Sequence, residues 1–402
     1  MSNDFLDTLY LFKCGIRGIE SPKDKDYNIK RIYTISKSQG IWDTVFLSVI
    51  KLFESKQLDI ETEIYNKLKM EFMVKCTGNS RRLIFVHNII KKLELNGISC
   101  CILKGEAVSR YYSTPLARIS SDVDILIDTS KTDECLEILK NEGFEIEGEY
   151  FGSHQIRCFH KIGGLIEVHI GMYGVKTDDI IFNREVSYNE RYVTFEAFDK
   201  MKLKTLGYTD NAMFLILHFL KHFIAEGAGI RQLADTMLYI ENNYEKIDFN
   251  RVNSHLENLG FKKIFAYMVN IAKEYLGFEI KLSSDFESTP DLTEQILNDM
   301  EKGGVFGKGE ERRGFYDLYV NERYKRFNKG SIENYNNFKK LSRLFPDRKF
   351  MSVNYPYVLK SPLLLPVAWL QRIIDGFKKK EVKEVDENHI KRLEFLKELD
   401  MI

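Results

Sequence analysis

The sequence predicts an α+β protein: one β-sheet flanked by helices, with a helical N-terminal segment before it and a helical C-terminal domain after it. Three observations carry this. Residues 1 to about 78 place apolar side chains three to four apart with few Gly or Pro; the next 100 or so residues alternate helix and strand signals; and beyond about 200 the strand signals fade.

In chain order, "IWDTVFLSVIKLFESKQLDIETEIYNKLKMEFM" has the spacing of amphipathic helices, and "RRLIFVHNIIKKLELNG" reads as a helix closed by Gly97. "ISCCIL" is a short buried strand, "GEAVSRYYS" a helix, "DVDILID" a second strand and "TDECLEILKNEGF" a helix with a Gly C-cap. "HQIRCFHK" and "GLIEVHI" are strands joined by Gly163-Gly164, which predicts a β-hairpin. "NAMFLILHFLKHFIAEGAGIRQLADTMLYIENN" reads as two helices broken at "EGAG", and "GGVFGKG" opens the remainder as a Gly-rich loop. The expected organisation is a helical segment over 1–78, a core of alternating helices and strands over 79–200, a helical domain over 201–300 and a basic, partly helical extension over 301–402.

A chain of 402 residues with 44% hydrophobic content buries at least one large core. Its 59 basic and 59 acidic residues cancel, so nothing in the net charge points to a nucleic-acid coat, and a small-molecule or protein substrate is the better expectation. Six cysteines without a CxxC pair read as reduced thiols, and the start "MSNDFLDTLYLFKCG" lacks the basic region and cleavage site of a signal peptide. With no apolar run near the roughly 20 residues of a spanning helix, a cytoplasmic protein without a transmembrane segment is expected.

The chemistry concentrates on Asp122 and Asp124. On a strand, side chains two apart share a face, so these carboxylates point one way, roughly 6 to 7 Å apart, while Val123 and Ile125 turn to the packed side. Like charges held so close invite a divalent cation, and Mg²⁺ is commonly held by one or two carboxylates plus substrate phosphates. Glu167 adds a third carboxylate in mid-strand, and His169 faces the same side two residues on. Asp128, also in phase, is an edge residue. Upstream, "LKGEAVSRYY" carries a strand into a helix across Lys104-Gly105, where free N–H groups, a close backbone approach and a point charge suit a phosphate. Arg118 is positioned either to grip a phosphate or to pair with the acidic strand.

"LKGEAVSRYYSTPLARISSDVDILI" followed by "IEVHI" resembles the nucleotidyltransferase superfamily, and specifically its large uncharacterised bacterial branch with an LKG, YY, P, R, DxD and EVH pattern. The resemblance covers about residues 80 to 240, and the tail "FPDRKFMSVNYPYVLKSPLLLPVAWLQR" is similar to longer members. Lys104-Gly105-Glu106 stands where members outside that branch have Gly-Gly or Gly-Ser. The resemblance implies that the sheet is mixed, that 79–200 is the catalytic core with 201–300 closing its cleft, and that a metal triad of Asp122, Asp124 and Glu167 holds Mg²⁺ or Mn²⁺, with Lys104, Gly105, Arg118 and Ser121 handling the triphosphate of an NTP. It implies in-line attack by the hydroxyl of an unknown acceptor on the α-phosphate, with pyrophosphate leaving. Two other readings stay open: a non-catalytic nucleotide-sensing or scaffold module, and a toxin-antitoxin nucleotidyltransferase acting on tRNA or protein.

His218 and His222 stand four apart on one helical face, with Phe219 where a zinc protease needs Glu, so His222 is expected to face either core or substrate. Arg231 and Asp235, also four apart, form either an intrahelical ion pair or, as the resemblance implies, a pair facing the cleft in a substrate-positioning or base role. Residues 321 to 380 carry 14 Lys/Arg against 4 Asp/Glu, interleaved with Tyr324, Phe327, Tyr335, Phe338, Tyr355, Tyr357 and Trp369. This stretch is either a solvated face whose aromatics pack inward or a contact for a membrane surface or an acidic partner.

Overall fold

Helices at the N-terminus start and stop where their caps dictate. The Ser2 hydroxyl accepts from the Phe5 N–H to open α1 (Asn3–Arg17), and Gly18, at φ 68°, closes it. Asn28 caps α2 (Ile29–Ser38), and α3 (Trp42–Glu54) follows. Gly15 lets α1 lie against α3, because a Cβ at this position would come 2.1 Å from the Thr44 carbonyl oxygen. The 34-residue α4 (Thr62–Leu95) runs unbroken past residue 78, where the sequence changes texture. What changes there is packing, since only the second half of α4 buries a continuous row, Leu83, Val86, Ile90 and Leu93, against the sheet.

This structure, a computed structural model, describes residues 1–19, 26–147, 155–170, 192–225, 227–282, 288–305, 351, 355–359, 361–378 and 387–402. Seven strands form one mixed sheet: β1 (Cys101–Leu103), β2 (Asp122–Leu126), β3 (Glu145–Glu147), β4 (Gln155–His160), β5 (Gly164–His169), β6 (Val193–Glu196) and β7 (Lys202–Thr205). They are ordered β3-β4-β5-β2-β1-β7-β6, with β2/β5 and β1/β7 parallel and the other pairs antiparallel. Between β1 and β2 lies the short α5 (Gly105–Ser109), and α6 (Thr132–Asn141) leads from β2 to β3. The predicted hairpin is β4/β5, and Gly164 at φ 66° opens β5. Strand β7 extends the sheet past the point where the strand signal fades, because its tetrapeptide "KLKT" offers little apolar alternation.

The period of two sorts each strand between two cores. Ile102, Val123, Ile125, Ile166 and Val168 face α4 and α6. The opposite face meets the helical half: α7 (Tyr208–Ala225), α8 (Ile230–Asn243), α9 (Phe249–Asn258), α10 (Lys262–Leu276) and α11 (Pro290–Gly303). That half shares one hydrophobic core with α1 to α3 and with Cys101 and Leu103 of β1. The architecture is thus an α+β mixed sheet core flanked by N- and C-terminal helices.

Most of the basic stretch over 321–380, with Tyr324, Phe327, Tyr335 and Phe338, lies outside the described residues. Within it, Tyr355, Tyr357 and Trp369 pack around Met351, Val358 and Ala368 beside α12 (Leu365–Lys378), and α13 (Glu387–Glu398) returns Leu396 and Leu399 to the main core. Among the described residues no helix is long and apolar enough to cross a membrane.

Candidate functional site

Between the open face of the sheet and the α7/α8 pair lies a cavity of about 350 Å³. All eleven residues singled out from the sequence line it: Asp122, Asp124, Glu167, Lys104, Gly105, Arg118, Ser121, His169, His222, Arg231 and Asp235. One wall is built by strand register. In the parallel β2/β5 pair Asp124 lies directly beside Glu167, and His169, two residues on, projects from the same face. The ligand atoms of Asp124, Glu167 and His169 all lie within 4.8 Å of one another. Asp122 stands one pleat away, beside Leu165, where its Oδ1 accepts from the Ser120 hydroxyl at 2.8 Å.

Asp124 Oδ1 receives both the Lys104 ammonium at 2.9 Å and the His169 Nε2 at 2.8 Å. Burial works to raise the Asp124 carboxyl, but Lys104 and His169 outweigh it and hold the group well below the usual carboxylate range. For Glu167 the balance reverses: burial, reinforced by the Asp124 charge, pushes it up to about 7 against the pull of Lys104. The Lys104 ammonium is itself held above its ordinary value by Asp124 and Asp122 despite burial. Its backbone adopts φ 52° and ψ −143°, a conformation rare for any residue with a side chain and worth about 1–3 kcal/mol of strain, which delivers the ammonium onto Asp124. Gly105 follows at φ 25° and opens the five-residue α5.

The other wall is helical. His218, Lys221 and His222 form an i, i+3, i+4 face of α7, and Arg231, Gln232 and Asp235 a matching face of α8. The His218 ring stacks on Phe214 and meets His222 edge-on at 4.5 Å, and burial, with Lys104 and His222 nearby, keeps its pKa well below the ordinary histidine value. Arg118 pairs with α8 rather than with the acidic strand: its Nη2 and Nε donate to the two Asp235 oxygens at 2.6 and 3.3 Å. Asp235 also accepts from the Tyr112 hydroxyl at 2.7 Å, while Arg231 turns its Nη1 to the Ile119 carbonyl at 3.1 Å. Of the two readings of Arg231 and Asp235, the intrahelical ion pair gives way to Arg118–Asp235, and the buried Nε of Arg231 has no hydrogen-bond partner.

Sequence reading passed over Lys221, Gln155, Gln232 and Tyr112. Lys221 falls on the His218/His222 face, and Gln155 lies opposite His169 in the hairpin register, so both were reachable from periodicity. It also missed His87, buried at 1% exposure, whose Nε2 meets Glu106 at 2.6 Å and Nδ1 meets Asp199 at 2.7 Å.

Residues 25–277 match the profile of a family described as "Uncharacterised nucleotidyltransferase". A search of curated proteins gave no match. Among solved structures, the lincomycin-bound lincosamide antibiotic adenylyltransferase LnuA is similar at 15% identity and a TM-score of 0.28, over 39% of this chain and 94% of that one. The antibiotic-resistance factor ANT(2'')-Ia is similar at 11% identity and a TM-score of 0.32, over 44% and 94%. An antigenic nucleotidyltransferase-like protein from Paracoccidioides brasiliensis is similar at 19% identity and a TM-score of 0.32, over 52% and 98%. At such scores these likenesses carry nothing about substrate.

Proposed function

The chain belongs to this family of uncharacterised nucleotidyltransferases, and from that footing we propose that it transfers an NMP, or a related phosphoryl-linked group, from an NTP to a hydroxyl of a small molecule, glycan precursor or peptide. The observation that carries this reading is the convergence of Asp124, Glu167 and His169 on the cavity between the sheet and α7/α8. The donor set fits a divalent cation: with all three carboxylates ionised, Asp122, Asp124 and Glu167 outweigh the Lys104 ammonium by two charges.

Asp124 and Glu167 would hold the ion, with Asp122 completing the acidic wall. A divalent cation bound there supplies charge neutralisation for the transferring phosphoryl group and activation of the acceptor oxygen. Lys104, on its strained turn, keeps a positive point charge at the edge of the acidic cluster, where a phosphate oxygen would sit. Gly105 and Ser121 let a triphosphate approach the backbone closely. Arg118 braces the cavity wall through Asp235, which leaves Arg231 as the α8 cation for the phosphate tail. The helical wall shields the reacting groups from water, which strengthens each of these charge interactions.

Purified protein with Mg²⁺ or Mn²⁺, a panel of NTPs and a panel of hydroxyl acceptors should release pyrophosphate only when nucleotide and acceptor are both present. Asp122→Asn and Asp124→Asn should each abolish the release. Metal binding without turnover on any NTP across a broad acceptor panel would overturn the assignment.

A further inference from the structure

We propose that His169 is itself a metal ligand, so that the centre holds its cation through one nitrogen and two carboxylates and prefers a divalent transition-metal ion such as Mn²⁺, Co²⁺ or Zn²⁺ over Mg²⁺. This rests on the metal reading above and names the donor set of that site.

The nitrogen is placed by strand geometry. β5 presents Glu167 and His169 two residues apart on one face, and the parallel register sets Asp124 beside Glu167. His169 Nε2 then lies 2.8 Å from Asp124 Oδ1. The nitrogen thus stands close enough to the Asp124 and Glu167 oxygens for all three to be ligands of one ion. The third carboxylate of the sequence pattern is less well placed, since Asp122 lies beside Leu165 and is engaged by the Ser120 hydroxyl. The three donor atoms that do converge are those of Asp124, Glu167 and His169.

A positive charge already sits at this point: the Lys104 ammonium contacts the same Asp124 oxygen that His169 contacts. Ligation requires that the His169 proton sit on Nδ1, the tautomer opposite to the one that donates to Asp124, and that the Lys104 ammonium give up its contact with the Asp124 Oδ1. The four-carbon stem of Lys104 lets its ammonium shift along the cluster as the ion enters. The donor chemistry then sets the metal. Mg²⁺ demands oxygen ligands in a near-ideal octahedron, whereas imidazole suits later first-row ions, whose affinities also rise along the series.

The test uses the full chain, Mn²⁺ as the probe and pulsed electron paramagnetic resonance with ¹⁵N-histidine labelling. Wild-type protein should show coupling of bound Mn²⁺ to a coordinated imidazole nitrogen, and His169→Gln should lose it. His218→Gln, which removes another ring from the cavity wall, should keep it. In titrations, His169→Gln should lower Mn²⁺ affinity roughly tenfold or more while changing Mg²⁺ affinity by less than about twofold. Bound Mn²⁺ without nitrogen coupling in the wild type, or coupling that survives in His169→Gln, would overturn the ligand assignment and leave the metal reading standing. Failure of the wild type to bind Mn²⁺ or Mg²⁺ at all would overturn both.

Discussion

His87 and His169 are both buried, both lie against two acidic residues, and the two arrangements end differently. At His87 the ring nitrogens point in opposite directions, Nε2 to Glu106 on α5 and Nδ1 to Asp199 in the β6–β7 turn, so each carboxylate is answered by its own edge of the ring. At His169 the donor atoms of ring and carboxylates turn toward one point, and that point lies on a 350 Å³ cavity. Divergence gives a closed clamp between elements, whereas convergence leaves negative charge that the protein alone does not neutralise. The same residue types therefore read as fold or as chemistry according to where their atoms aim.

Arg118 sharpens this contrast, because it lines the cavity and yet is closed in the manner of His87. Its guanidinium is held well above its ordinary value by Asp235 against the opposing effect of burial.

The largest expected effect belongs to the convergent cluster. Asp124→Asn should lower divalent-metal affinity by a hundredfold or more, read by calorimetry, with far-ultraviolet circular dichroism unchanged; retained affinity would break the contrast between the clusters. Arg118→Gln comes next. Leaving Asp235 buried without its cation should cost about 3–5 kcal/mol in urea denaturation. A joint replacement, Arg118→Met with Asp235→Leu, should recover most of that loss. His87→Gln should cost about 3 kcal/mol by the same logic and should carry a pH signature.

Burial works to lower the His87 pKa, but Glu106 and Asp199 outweigh it and the net shift is upward from 6.5. The clamp's contribution is therefore full below about pH 6.5 and is lost as pH rises through the folded value. The gap between wild type and His87→Gln should be widest at pH 6 and narrow as the solution becomes alkaline. A gap independent of pH would mean that the ring is not held as imidazolium. The smallest effect on the site is Gly15→Ala: the added Cβ would stand 2.1 Å from the Thr44 carbonyl oxygen, so α1 and α3 should be forced apart at a cost of about 3 kcal/mol or more while metal binding is untouched.

How much of this was legible in the sequence follows from range. Asp122, Asp124, Glu167 and His169 were readable because period two fixes a face locally and Gly163-Gly164 signals the hairpin that carries the last two. The α7/α8 pair was readable from its helical spacing and the break at "EGAG". The pairing of Arg118 with Asp235 was not, because 117 residues separate them and a closer partner for each lay in plain view. His87 gave no signal at all, reading as one position in an amphipathic helix, with Asp199 another 112 residues away. The strands "EIE", "VTFE" and "KLKT" escaped because three or four mostly polar residues cannot show an alternation.

The central claim, that the convergent cluster holds a divalent ion which in turn presents an NTP, is tested most directly by calorimetry with non-hydrolysable nucleoside triphosphates. Nucleotide affinity should depend on added Mn²⁺ or Mg²⁺ and disappear in Asp124→Asn. Nucleotide binding of equal strength after chelation of all metal, or unchanged in Asp124→Asn, would contradict it and identify a nucleotide-sensing module instead.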